Sequence, residues 1–405
     1  MEINKNLFFT VVSQIKAYRN VVVLKDSTVD GCIDILYIPK ISSGSPKCIN
    51  KMTVSINGKD TDLFNDAPPE KLGDTLLVRL SPMKEILNGA TSCVLEKGCL
   101  NGIKIKIDTD TVDYSIFEYI TGLYDDLSSK IKNTDLTSLV MRQTDYTYVF
   151  SELSKFVSKD TSRGSMLGIC FDFDKSEPGT INFVATDGRK MCRVEYGLQG
   201  QEGNGIYSIP PDYLFLPTSY FSSAQIKMSK ETSCVLINTE DYKFESNFEN
   251  IDGLFPNYPK VIPVITEKTQ WFTLNSASFC AAIDSVKSLI GKRDALHLNA
   301  ENPENLLITV GDNDTALQVE GTASRPMFIS FYWDQLKPCL VDDRSFIKFY
   351  LNGSYLAIQA SENKTVKGIS MNVLKIFMPV YEDSLTTEDE FRIPKVKRGT
   401  DTETE

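Results

Sequence analysis

Histidine is almost missing from this chain of 405 residues: His297 is the only one. A metal centre built on several imidazoles is therefore excluded within one chain. No apolar run reaches the roughly 18 residues of a membrane-spanning helix. The opening residues, 1–9, lack a basic stretch leading into an apolar core and a small-residue cleavage site, so no secretory signal is expected. There is no Cys-x-x-Cys pair. The 9 cysteines are odd in number and scattered, and most sit in apolar runs such as Gly168-Ile169-Cys170-Phe171. They read as buried free thiols of a reducing cytoplasm. Neither a glycine-rich phosphate loop nor a Gly-x-Ser-x-Gly elbow occurs.

What is present is ordinary for a globular protein: 41% hydrophobic and 24% charged residues. At about 150 residues per domain, the length suggests two to three domains. Lys plus Arg total 43 and Asp plus Glu 54, a formal charge of −11. Such a chain does not coat itself with nucleic acid. It binds nucleic acid only where its basic residues gather on one surface.

The pattern repeats at long range. Apolar residues three and four apart predict helices over 6–20, 145–159 and 276–290, starts about 130 residues apart. Ser276 is the expected cap of the third. A shorter helix follows in each block, at Ser81–Leu87, Pro210–Phe215 and Phe331–Lys337. Alternating runs at 103–107, 180–185, 232–238, 306–310, 346–350 and 354–360 read as strands. Three domains of similar plan are expected, at 1–135, 136–265 and 266–381, with a charged, apolar-poor tail over 382–405.

Catalytic chemistry finds little support. Asp172 and Asp174 alternate on a strand, and Asp108, Asp110 and Asp113 follow another, but no third element closes either group into a metal site. His297 lies in a strand-like run. No metal, cofactor or catalytic residue is expected.

Four segments carry a resemblance. Residues 184–191 read Val-Ala-Thr-Asp-Gly-Arg-Lys-Met, a strand entering a tight turn. Residues 158–163 read Ser-Lys-Asp-Thr-Ser-Arg and lead to Gly168. Residues 252–263 read Asp-Gly-Leu-Phe-Pro-Asn-Tyr-Pro-Lys-Val-Ile-Pro, and 376–380 read Ile-Phe-Met-Pro-Val. In order and spacing these resemble the bacterial DNA polymerase III beta subunit, the sliding clamp family. The resemblance is good over 140–380 and weak over 1–135, where only the plan of helix and strands agrees.

That resemblance implies an α+β chain of three similar clamp-fold domains, with helices lining the inner face and antiparallel sheets the outer face of a ring. It implies a head-to-tail homodimer around double-stranded DNA, held without base readout. It further implies an ATP-dependent loader, a replicative polymerase and other peptide-motif proteins as partners, in the cytoplasm near the nucleoid. The implied peptide pocket takes Met166 and the turn residues Thr186, Gly188, Arg189, Lys190 and Met191. It also takes Pro256, Lys260 and Val261, then Ile376, Met378, Pro379 and Val380. Where the family often has His, this chain has Arg189, and Pro259 replaces a commonly basic residue, so the rim departs from the usual pattern.

Implied DNA-facing residues are Lys16, Arg19, Lys84, Lys155, Lys159 and Arg163, then Lys287, Lys292, Arg293 and Lys337. Implied dimer-interface residues are Ile103, Ile105 and Ile107 on one side, Leu289 and Ile290 on the other. The alternative is a clamp-fold scaffold, or a specialised clamp copy with a restricted partner and little DNA role.

Overall fold

The computed structural model describes residues 2–3, 5–29, 31–40, 47–55, 76–89, 93–96, 99–101, 114–174, 177–216, 221–262, 264–286, 295–310, 316–340, 346–352, 355–359 and 371–378. The chain divides into two compact units, 1–183 with 197–255, and 184–196 with 256–405. Both combine helices with antiparallel sheets.

The first unit is built on an eight-stranded sheet. Its order is Leu76–Arg79, Val21–Asp26, Cys32–Tyr37, Cys48–Ser55, Tyr242–Glu249, Thr232–Asn238, Ser223–Met228 and Thr137–Arg142. The pairing of Asn50 with Ser246 joins strands from the expected first and second domains into one surface. Alternation gives the sheet two faces. Ile35, Met52, Phe244 and Phe248 point one way and are buried. On that side lie α1 (Lys5–Gln14) and α2 (Leu80–Gly89). The Tyr242 hydroxyl reaches Gln14 Oε1 of α1 at 3.0 Å. The inner side of α1 is Phe8, Val11 and Val12, followed by Ile15.

The other face carries an element with no counterpart in the expected plan, α3 (Tyr114–Lys132), 19 residues long. Ile120 and Leu127 of α3 close over Val23, Leu36, Ile38 and Ile49, with Ile116, Phe117, Leu123 and Tyr124 packed around them. Asn247 Nδ2 donates to Ser128 Oγ at 3.3 Å, and Lys51 Nζ lies 2.9 Å from Glu245 and 3.1 Å from the Tyr124 hydroxyl. Further along, α4 (Gln143–Ser154) buries Tyr146, Val149, Phe150 and Leu153. Phe150 stacks on Phe171 at 5.6 Å, and Phe171 meets Phe183 edge-on at 5.0 Å. The short α5 (Pro211–Leu214) accepts the Tyr146 hydroxyl at Leu214 O, 2.7 Å away.

In the second unit, one sheet runs from the Lys190–Gly197 strand through Met371–Phe377, Tyr355–Gln359, Phe346–Asn352, Gln270–Asn275 and Gly321–Ala323. A four-stranded sheet orders Ala316–Val319, Asn305–Val310, Ala295–Asn302 and Met327–Tyr332. The helix α6 (Ser276–Val286) packs against strands of both sheets, and α7 (Trp333–Leu336) follows directly on the Met327–Tyr332 strand. Phe272 stacks on Phe349 at 4.5 Å, and Phe279 lies 5.9 Å from Trp333.

Several expected boundaries move. The first helix ends at Gln14 instead of running to residue 20: Ala17 is extended (φ −92°, ψ 143°) and bridges to Pro39, and Arg19 and Asn20 then adopt φ of +51° and +60°. That is the left-handed region, where an α-helix cannot continue. The helix expected over 145–159 starts at Gln143 and stops at Ser154. The helix expected to start at Ser81 begins at Leu80 and runs to Gly89, and the Ser81 hydroxyl donates to Asn20 Oδ1 at 3.0 Å. Asn275, not Ser276, caps α6: its Oδ1 accepts the Ser278 N–H at 2.9 Å. Phe331 and Tyr332 close a strand, leaving only Trp333–Leu336 as α-helix. The strand expected at 103–107 and residues Asp108, Asp110 and Asp113 lie outside the described residues.

Candidate functional site

The turn at Asp187-Gly188 is built by its own side chains. The Thr180–Thr186 strand ends where the buried Thr186 hydroxyl donates to Lys190 O at 2.8 Å and accepts from Gly188 N at 3.0 Å. Asp187 Oδ1 accepts two backbone N–H groups, from Arg189 at 2.8 Å and Lys190 at 2.9 Å. Gly188 sits at φ +85°, which a residue with a Cβ adopts only with strain. Lys190 Nζ lies 3.9 Å from Asp187 Oδ2, so the charges of this pair largely offset each other. Arg189 stands exposed at the tip.

The turn delivers its residues to the end of the sheet. In the antiparallel pair, Lys190 stands opposite Phe377 and Met191 opposite Ile376. The Met378 N–H then donates to Arg189 O at 2.9 Å. Met191 and Ile376 are buried, whereas Met378 is 36% exposed. The second unit therefore gathers Thr186, Gly188, Arg189, Lys190, Met191, Ile376 and Met378 at one place. Pro256, Lys260 and Val261 belong to the same unit, around the 3-10 turn Tyr258–Val261, whose Tyr258 side chain is buried. Pro256 and Val261 are half-buried and Lys260 is exposed. Met166 belongs to the first unit, half-buried in the Thr161–Leu167 turn, where its carbonyl accepts the Ser158 N–H at 3.0 Å. Pro379 and Val380 lie outside the described residues.

Apolar side chains with one exposed methionine, a polar turn and a free guanidinium suit the capture of an apolar peptide side chain, with polar contacts at its edge. They do not suit bond-breaking chemistry. Among the described residues no three His, Cys, Asp or Glu side chains converge as a metal site. His297 is used structurally: its Nδ1 lies 2.7 Å from Ser330 Oγ and its ring stacks on Phe328. Asp172 is fully buried and accepts the Asp174 N–H at 3.0 Å, while Asp174 accepts from Gly205 N at 2.8 Å.

No family model matches the chain. A search of characterised proteins finds the beta sliding clamp of Treponema pallidum (strain Nichols), 23% identical over 270 residues, covering 58% of this chain and 69% of that protein. Solved structures align over nearly the whole length. The DNA polymerase sliding clamp of Pseudomonas aeruginosa gives a TM-score of 0.69 at 12% identity, covering 94% of this chain and 99% of that one. The Helicobacter pylori beta clamp bound to a DNA ligase peptide gives 0.62 at 14%, with the same coverage. The chain matches the beta sliding clamp family in sequence and in fold.

That family is non-catalytic, in keeping with a site that gathers contacts rather than reacting groups. The basic residues singled out by the clamp resemblance are spread more widely. Lys16 and Arg19 are exposed but follow α1 rather than lying on it. Lys84 turns back to cap α1, donating to Ile15 O at 2.8 Å and Ser13 O at 3.3 Å. Burial, with Lys16 nearby, lowers its pKa. Lys155 pairs with Glu152, and Arg163 with Asp160 at 3.4 Å. Lys159 and Lys337 are exposed. Lys287, Lys292 and Arg293, and all of Ile103, Ile105, Ile107, Leu289 and Ile290, lie outside the described residues. Among the described residues no helix is long and apolar enough to cross a membrane.

Proposed function

We propose that this chain is a DNA sliding clamp, a non-enzymatic processivity factor. Two copies joined head to tail close a ring of six similar domains around duplex DNA. Each chain supplies domains near 1–135, 136–265 and 266–381. Exposed cations such as Lys16, Lys159 and Lys337 hold the duplex through its phosphates without reading bases, and weak contacts of this kind leave the ring free to slide. A replicative polymerase, an ATP-dependent loader and other proteins dock short peptides on the apolar site at Met191, Ile376 and Met378. The setting is the cytoplasm.

The observation that carries this reading is the Thr186–Met191 hairpin seated against Ile376–Met378. It sits in a chain whose sequence and fold both match clamps, one of which was solved with a ligase peptide bound. The site is tested by fluorescence anisotropy with a labelled heptapeptide carrying a Leu-Phe pair. Saturable binding that Met378→Glu weakens at least tenfold supports the site. Binding unaffected by that change contradicts it. A chain that binds such peptides yet is never retained on circular DNA with its loader present is the restricted-partner scaffold instead.

A further inference from the structure

The sheet of the second unit connects the peptide site to a patch of different chemistry. Met191 stands opposite Ile376, Ile376 opposite Ala357, Ala357 opposite Tyr350, and Tyr350 opposite Trp271. Directly opposed residues of antiparallel strands share a face. Trp271 and Tyr350 therefore belong to the same face as Met191 and Ile376. From the Met371–Phe377 strand to the Gln270–Asn275 strand is three strand spacings, about 14 Å.

At the far end, Lys348 Nζ lies 4.2 Å from the Trp271 ring centroid and 5.3 Å from that of Tyr350. All three side chains are half-exposed, and Phe346, on the same face of the strand, is 51% exposed. The rings hold the ammonium in place. Among the described residues Lys348 has no carboxylate partner. An unpaired cation fixed among half-exposed aromatic rings, in a chain of net charge −11, presents a local spot for a carboxylate with apolar neighbours. A single lysine does not track a phosphate backbone, which needs a run of cations.

We propose that partner peptides anchored at Met191, Ile376 and Met378 continue across this sheet face and set an acidic side chain on Lys348, between Trp271 and Tyr350. Roughly four or five extended residues span the distance. The proposal rests on the peptide-site reading above and adds a second, electrostatic point of contact to it.

The test uses the full chain and five labelled peptides. One is the Leu-Phe heptapeptide alone. The others extend it, at either end, with a Glu pair or a Gln pair placed four or five residues from the anchor. The Glu extension should bind about fivefold tighter than the Gln extension, the range of an exposed ion pair. Lys348→Ala should erase that advantage and leave the short peptide's affinity unchanged. Trp271→Phe should retain most of it and Trp271→Ala should reduce it, with thermal melts confirming that each variant folds. Equal affinity of the Glu and Gln peptides, or an advantage that survives Lys348→Ala, overturns the proposal while leaving the anchor site intact. Quenching of Trp271 by oligothymidylate without any Glu advantage assigns the patch to single-stranded nucleic acid and also overturns it. Failure of the short peptide to bind at all strikes the peptide-site reading itself.

Discussion

Gly188 and Thr186 carry the local geometry of the proposed peptide site. With φ at +85°, Gly188→Ala should cost about 1–2 kcal/mol through the left-handed backbone penalty. Thr186→Val keeps the shape but removes both turn hydrogen bonds, at about 1–2 kcal/mol for the pair. Urea unfolding measures both changes, and both variants should bind the Leu-Phe peptide more weakly because Arg189 loses its register with Met378 and Met191 with Ile376. A different residue-scale prediction concerns pH. Burial pushes the Cys48 and Cys234 thiols from the ordinary 9.0 up to about 12. In the unfolded chain both ionise near 9, so between those values the folded state holds more protons. The contribution of these thiols is therefore complete below pH 9 and is lost progressively as the pH rises from 9 toward 12. Cys48→Ala should halve the contribution of this thiol pair to the slope in denaturation series from pH 8 to 10.5.

Among the elements, α3 distinguishes what the sequence makes legible. The Asp-Gly turn is readable because its conformation is set by residues within five positions. The positions Ile116/Phe117, Ile120, Leu123/Tyr124 and Leu127 also repeat at helical spacing, but this segment is rich in β-branched and aromatic residues and is broken by Gly122. Those residues favour strand or loop, and packing on the sheet overrides the local preference. The boundary errors at α1, α4 and α7 have the same root. Helix ends are decided by caps and by distant partners, such as Lys84 on Ile15 O, rather than by periodicity. The residues of the proposed peptide site follow from the short motifs that resemble the clamp family, whereas the row linking them to Trp271 depends on strand register, which no single segment encodes. At this scale, Gly122→Ala should stabilise the chain by about 0.5–1 kcal/mol, since an added Cβ meets nothing within 4 Å. Leu127→Ala should destabilise it by about 2–5 kcal/mol, because that side chain is fully buried against the sheet. Thermal and urea unfolding check both.

For the whole molecule, an acidic chain of −11 must concentrate its cations to hold DNA. The described basic side chains are partly committed elsewhere, Lys84 to a helix end and Lys155 to Glu152. Under the proposed sliding-clamp reading, this arrangement would give a weak, salt-sensitive hold on the duplex, with retention supplied by ring closure rather than by affinity. Retention on DNA therefore separates a clamp from an ordinary binding protein more sharply than affinity does. The most direct measurement loads the chain, with its loader and ATP, onto nicked circular DNA and follows retention by gel filtration before and after the circle is cut once. The sliding-clamp account predicts a complex that persists on the circle at moderate salt and is lost on linearisation, with a solution mass near twice 45.4 kDa for the free protein. A monomer that is never retained on the circle, or one that stays equally well on the cut DNA, contradicts it.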